Sequence, residues 1–150
     1  MDRLTVNELA AMLGGLLLGA TLFVHWYAVV SPLAQLAGRE GLGSYSGWQT
    51  HLVLRWLLLA VAVAPFVLAY IVVRDHELSW ARGELTAVLS IVACGLLLYI
   101  GVVDRPGEPA GQIELAWGWY AALLGAILML GGSALSTADA GASRRPPGAI

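Results

Sequence analysis

Four apolar stretches, at about 7–30, 49–73, 82–103 and 113–136, constrain this chain more than any other feature. A hydrocarbon core about 30 Å thick takes about 20 residues of helix at 1.5 Å each, and all four meet that length. Water offers no alternative solvent: 59% of the 150 residues are hydrophobic and 12% are charged, against roughly 25% charged in a soluble domain. The mean hydropathy of +0.76 leaves too few polar residues to surface such a domain. The expected fold is therefore all-α: a four-transmembrane-helix bundle, up-down-up-down, filling residues 1–138. A flexible, Ala/Gly/Ser/Pro-rich tail is expected at 139–150.

The local signals agree with these spans. Thr5-Val6-Asn7-Glu8 has the spacing of a capping box for the first helix, Ser31-Pro32 supplies its stop, and Ser46 with Gln49 repeats the box before the second. The first span is too long for a signal peptide and ends in Trp26 and Tyr27, where cleavage requires small residues. Cytoplasmic flanks retain Arg and Lys. One side of the spans carries Arg3, Arg74, Arg82, Arg144 and Arg145, the other only Arg39 and Arg105, which places both termini in the cytoplasm. Every basic residue is Arg, the usage of a GC-rich bacterial genome, so the expected location is a bacterial cytoplasmic (inner) membrane.

Helices in lipid associate through close backbone approach at small residues. Ala11, Gly15 and Gly19 form such a stripe in the first helix, Gly118, Ala122 and Ala126 in the fourth, and Ala60 with Ala64 a weaker one in the second. Pro65, mid-span in the second helix, cannot donate a helical hydrogen bond and is expected to kink it.

The outer half is richer in chemistry. Trp26, Tyr27, Tyr45, Trp48, Trp56, Tyr99, Trp117, Trp119 and Tyr120 fall on that side, with only Tyr70 and Trp80 on the other. An uneven interfacial belt explains this plainly; a pocket or partner surface explains it more sharply. Trp48, His51 and Arg55 follow i, i+3, i+7 spacing and so share a helix face, with Glu114 and His25 at similar depth. Arg55 lies about 10 Å inside the span, where a charge costs on the order of 3 kcal/mol unless it snorkels or pairs. The readings are snorkelling, a structural pair with Glu114, an anionic ligand such as a lipid phosphate, or proton-coupled transport. His25 and His51 are structural histidines on the plain reading. A pocket without metal is the second, and a metal or b-type haem held between two helices a remote third.

Other chemistry finds no support. The single Cys94 excludes disulfides and Cys-x-x-Cys pairs within one chain, no Lys/Arg cluster suits nucleic acid, and no catalytic or nucleotide fingerprint is present. Gly38, Gly41, Gly43 and Gly47 belong to a loop with no strand before them. The expected role is accordingly non-enzymatic, without a cofactor. The first choice is an accessory or scaffolding subunit of a larger bacterial envelope or respiratory complex, bound to lipids and to other membrane subunits or itself. The alternative is lipid or small-anion binding or transport through Trp48, His51, Arg55, Glu114, His25 and Trp117.

With those residues in view, the chain resembles a loose group of small, uncharacterised four-helix integral membrane proteins of actinobacterial type. The resemblance rests on Ser46-Gly47-Trp48-Gln49 and on the run from Gly118 to Ala126 after a Pro/Gly loop. It implies a four-helix fold in a bacterial inner membrane and no particular activity. Arg55 stands where such proteins are expected to carry an apolar or acidic residue.

Overall fold

The computed structural model describes residues 4–74 and 83–143. In chain order the elements are α1 (Val6–Thr21), β1 (His25–Val29), β2 (Gln35–Leu36), β3 (Arg39–Glu40), β4 (Gly43–Ser46), the one-turn α2 (Gly47–Thr50), α3 (Leu54–Val73), α4 (Glu84–Leu98), β5 (Ile113–Leu115) and α5 (Trp117–Ser143). A π turn at Tyr99–Val103 prolongs α4.

The chain is mostly helical, but it is not all-α: β4, β1 and β5 make an antiparallel sheet with β1 in the centre. The first helix stops at Thr21, well short of residue 30, because His25-Trp26-Tyr27-Ala28-Val29 is rich in aromatic and β-branched side chains that suit a pleated surface better than a helix. Counting apolar residues cannot distinguish such a run from the end of a span. Three helical segments, Leu54–Val73, Glu84–Val103 and Trp117–Ala142, are long and apolar enough to cross a membrane, whereas α1 has only 16 residues.

Both capping boxes form. Thr5 accepts from the Glu8 amide while Glu8 accepts from that of Thr5, and Ser46 with Gln49 does the same at α2. The second box starts only one turn, because His51 is extended (φ −117°, ψ 94°) and α3 begins afresh at Leu54. At the far end, α5 continues through residues 139–143, which were expected in the flexible tail. Ala and Gly in this stretch offer no proline stop, and Asn7 donates to the Asp139 carboxylate at 2.9 Å. The remaining tail, Trp80, Arg3 and Arg82 lie outside the described residues.

α1 packs between α3 and α5, and α4 lies against α5 and α3. The small-residue stripe of α1 is split between two partners. Ala11, Gly14 and Leu18 face α5, where a Cβ on Gly14 would sit 2.6 Å from the Gly125 carbonyl, while Gly15 meets Ala62 and Pro65 of α3. Gly19 also lies on the α3 side, beside Ala62. In α5, Gly118, Ala122 and Ala126 are buried, the first against the turn that precedes β1. In α3 the buried positions are Leu58, Val61, Ala62, Pro65, Ala69 and Val72; Ala60 is exposed and Ala64 half-buried, so that expected stripe does not form the seam. Pro65 is accommodated inside a continuous α3.

Candidate ligand-binding region at the capped end

The sheet and its loops form a cap over one end of the helices. A β-bulge between His25 and Tyr27 breaks the alternation of β1, so consecutive Trp26 and Tyr27 are both buried while His25 faces out. The Trp26 indole donates to the Thr21 carbonyl at 2.6 Å and lies flat on Gly47, whose missing Cβ makes the approach possible: one placed there would meet the ring at 2.6 to 2.9 Å. On the other side, Trp119 of α5 donates to the Leu97 carbonyl at 3.0 Å. Arg105 ties the loop after α4 to the cap by donating to the carbonyls of Gly101 and Ile113. A further hairpin, β2 with β3, turns through Ala37 (φ 53°) and Gly38 (φ 73°), the paired positive φ values of a two-residue hairpin loop.

Beneath β1, the Tyr27 hydroxyl and His51 Nε2 share a 3.0 Å hydrogen bond, with the two rings edge to face and Trp26 alongside. Burial pushes the His51 imidazole down to about 4, opposed by the field of Asp104. It raises the Tyr27 phenol well above the ordinary tyrosine range, opposed by Arg105. Both side chains are therefore neutral at physiological pH, as a hydrogen-bonded buried pair requires.

A second cluster lies on the outer surface of the α1–α3 seam. Phe23 stacks on Trp48 at 5.0 Å, and Trp48 meets Trp56 edge to face at 5.1 Å. The Arg55 guanidinium sits 4.9 Å from the Trp48 ring and 5.6 Å from that of Trp56, donating through one terminal nitrogen to the Trp48 carbonyl at 3.2 Å. Its Nε is buried without a partner. Trp48 is placed here by its own amide, which donates to the Leu22 carbonyl at the end of α1.

The expected site residues thus divide. Trp48 and Arg55 come together, whereas His51 turns inward to Tyr27. Glu114 is exposed on β5, opposite Ala28, and among the described residues no carboxylate pairs with Arg55. His25 is exposed at the β1 edge and paired with Ser46, and Trp117 is exposed at the start of α5. Among the described residues no group of three or more His, Cys, Asp or Glu is placed to hold a metal. Sequence reasoning placed Tyr27 only among the outer aromatics and missed its pairing with His51, and it missed Asp104 and Phe23. The clue was the aromatic, β-branched run that ends the first apolar stretch, which marks a strand able to turn its side chains back onto the helix ends.

Compared with protein-family models, curated proteins and solved structures, the chain matches none.

Proposed function

We propose that this chain is a multi-pass protein of a bacterial cytoplasmic membrane whose four helices run up-down-up-down, with both termini in the cytoplasm and the sheet on the outside. It acts without catalysis, as an accessory or scaffolding subunit of a larger envelope complex. Three spans of sufficient length support the membrane setting. The short α1 crosses with them because it is packed between α3 and α5 and is followed by the apolar Leu22-Phe23-Val24 turn.

The observation that carries the scaffolding role lies in the cap. Beyond the spans, the cap loops display Leu33 (83% exposed) and Leu42 (69% exposed), and Leu33 lines an open cleft of about 530 Å³ with Gln35, Glu108 and Pro109. Exposed apolar side chains beside an open cleft offer a surface that another protein could cover. Purification in mild detergent from cells expressing the chain at native level, after chemical crosslinking, tests this. A stoichiometric partner or second copy is expected, and it is expected to be lost in the doubly substituted Leu33→Ser, Leu42→Ser chain while membrane insertion persists. A chain that crosslinks to nothing, or identically with both substitutions, refutes the reading.

A further inference from the structure

Along the α1–α3 seam a groove of about 250 Å³ opens sideways from the bundle, lined by Gly15, Leu16, Gly19 and Ala20 from α1 and by Leu59, Ala62, Val63 and Phe66 from α3, with Phe23 at its upper end. The small residues of both helices make it: where Gly and Ala face each other, the flanking Leu16, Phe23, Val63 and Phe66 stand out as its walls. From Phe66 to Leu59 it runs about 10 Å along the helix axis.

Arg55 sits directly above this groove. It is one helical turn before Leu59, and Arg55, Leu59, Ala62, Val63 and Phe66 fall on one face of α3 at i, i+4, i+7, i+8 and i+11. The aromatic ladder gives the same connection through space: Phe23 lines the groove and stacks on Trp48, and Trp48 stacks on the Arg55 guanidinium. An apolar slot thus leads upward to a cation that no carboxylate of the described residues neutralises, and tryptophan rings hold that cation in place.

We infer that this groove binds one anionic glycerophospholipid, an acyl chain lying along the α1–α3 seam and the headgroup phosphate meeting the Arg55 guanidinium. Charge complementarity selects this occupant over a transmembrane helix, which would bring no anion to Arg55. Guanidinium is the side chain best matched to phosphate, through paired N–H donors. Tryptophan belongs at the same depth, at the level of the headgroups. The inference rests on the membrane reading above but not on the scaffolding role, since the groove lies on the helices and the exposed leucines lie in the cap.

Native mass spectrometry of the full-length, delipidated chain in mild detergent, titrated with phosphatidylglycerol or phosphatidylcholine, tests it. The wild-type chain is expected to bind one phosphatidylglycerol about tenfold more tightly than phosphatidylcholine. Arg55→Gln is expected to abolish the preference and retain weak binding of both, Arg55→Lys to keep part of it, and Ala20→Phe, which fills the groove from an exposed position, to lose both lipids. Glycerol phosphate without acyl chains is expected not to compete. Equal wild-type affinity for the two lipids, an unchanged preference in Arg55→Gln, or competition by glycerol phosphate overturns the inference. Thermal unfolding of each variant identifies any that has not folded, and the Lys and Phe variants decide the matter if the Gln variant is among them. Carbonate extraction of membranes, which reads insertion alone, separates failure of this inference from failure of the membrane reading.

Discussion

The two ends of the helices are built on different principles. At the end holding the start of α1 and the last turns of α5, most polar groups serve their own helix: a capping box at Thr5 and Glu8, and Thr137 donating to the Ser133 carbonyl one turn back, with the Asn7–Asp139 bond joining the two helices. At the other end, side chains from separate elements meet: Trp26 on Gly47, Tyr27 with His51, and Trp119 on the α4 backbone, while Arg105 bridges its own loop to Ile113. Between them, the outward faces of α3 and α4 carry Val67, Val88, Ile91 and Leu98, of which the proposed membrane setting asks only that they be apolar. Substitution should therefore be tolerated on these outward faces and costly in the cap.

The largest contrast is expected between two glycines. Gly47→Leu forces a side chain into the Trp26 ring and should destabilise the chain by about 3 kcal/mol, read as a lower melting temperature and altered tryptophan fluorescence. Gly95→Leu on α4, where a Cβ meets nothing within 4 Å, should leave the melting temperature nearly unchanged. Equal effects would remove the distinction between the cap and the outward faces of the helices.

Next in size is the pH response of His51. Its folded value, about 4, lies below the ordinary value of 6.5, so protons bind the unfolded state more readily. The His51 contribution to stability is therefore constant above about pH 7, falls as pH drops from about 6.5 toward 4, and levels below that. The loss is on the order of 2 kcal/mol after allowing for relaxation of the site. Melting curves across this range should show that slope in the wild-type chain and a flatter one in His51→Phe. Tyr27→Phe removes the hydroxyl partner and should cost about 1 kcal/mol at pH 7. The smallest effect is expected at Glu114, exposed and unpaired with Arg55, where Glu114→Gln should stay within about 0.5 kcal/mol. A larger loss there would revive an Arg55–Glu114 contact.

The legibility of the sequence follows the same division. Hydropathy located three helices long and apolar enough to cross a membrane but carried the first stretch past the end of α1 into β1, and both capping boxes could be read because their partners are three residues apart. Trp48 and Arg55 came together as their spacing suggested, although His51, an extended residue between α2 and α3, left their face. The sheet was hidden because its strands are 3 to 5 residues long and their partners lie up to about 90 residues away, as with Tyr27 and Leu115. Such pairings leave no local period. The groove was hidden too: Ala11, Gly15 and Gly19 read as one seam, yet the turn of the helix gives Ala11 to α5 and the two glycines to α3.

In the proposed topology these two unlike ends face opposite sides of a membrane. Single cysteines test this directly, since replacing Cys94 with Ala leaves no other thiol. In that background, Ser44→Cys in the exposed part of β4 and Ala138→Cys near the end of α5 report on the two ends, read by a membrane-impermeant maleimide on intact cells. Labelling of the β4 cysteine at once, and of the α5 cysteine only after the membrane is permeabilised, is the predicted result. Equal labelling of both before permeabilisation, or the reverse order, would contradict it.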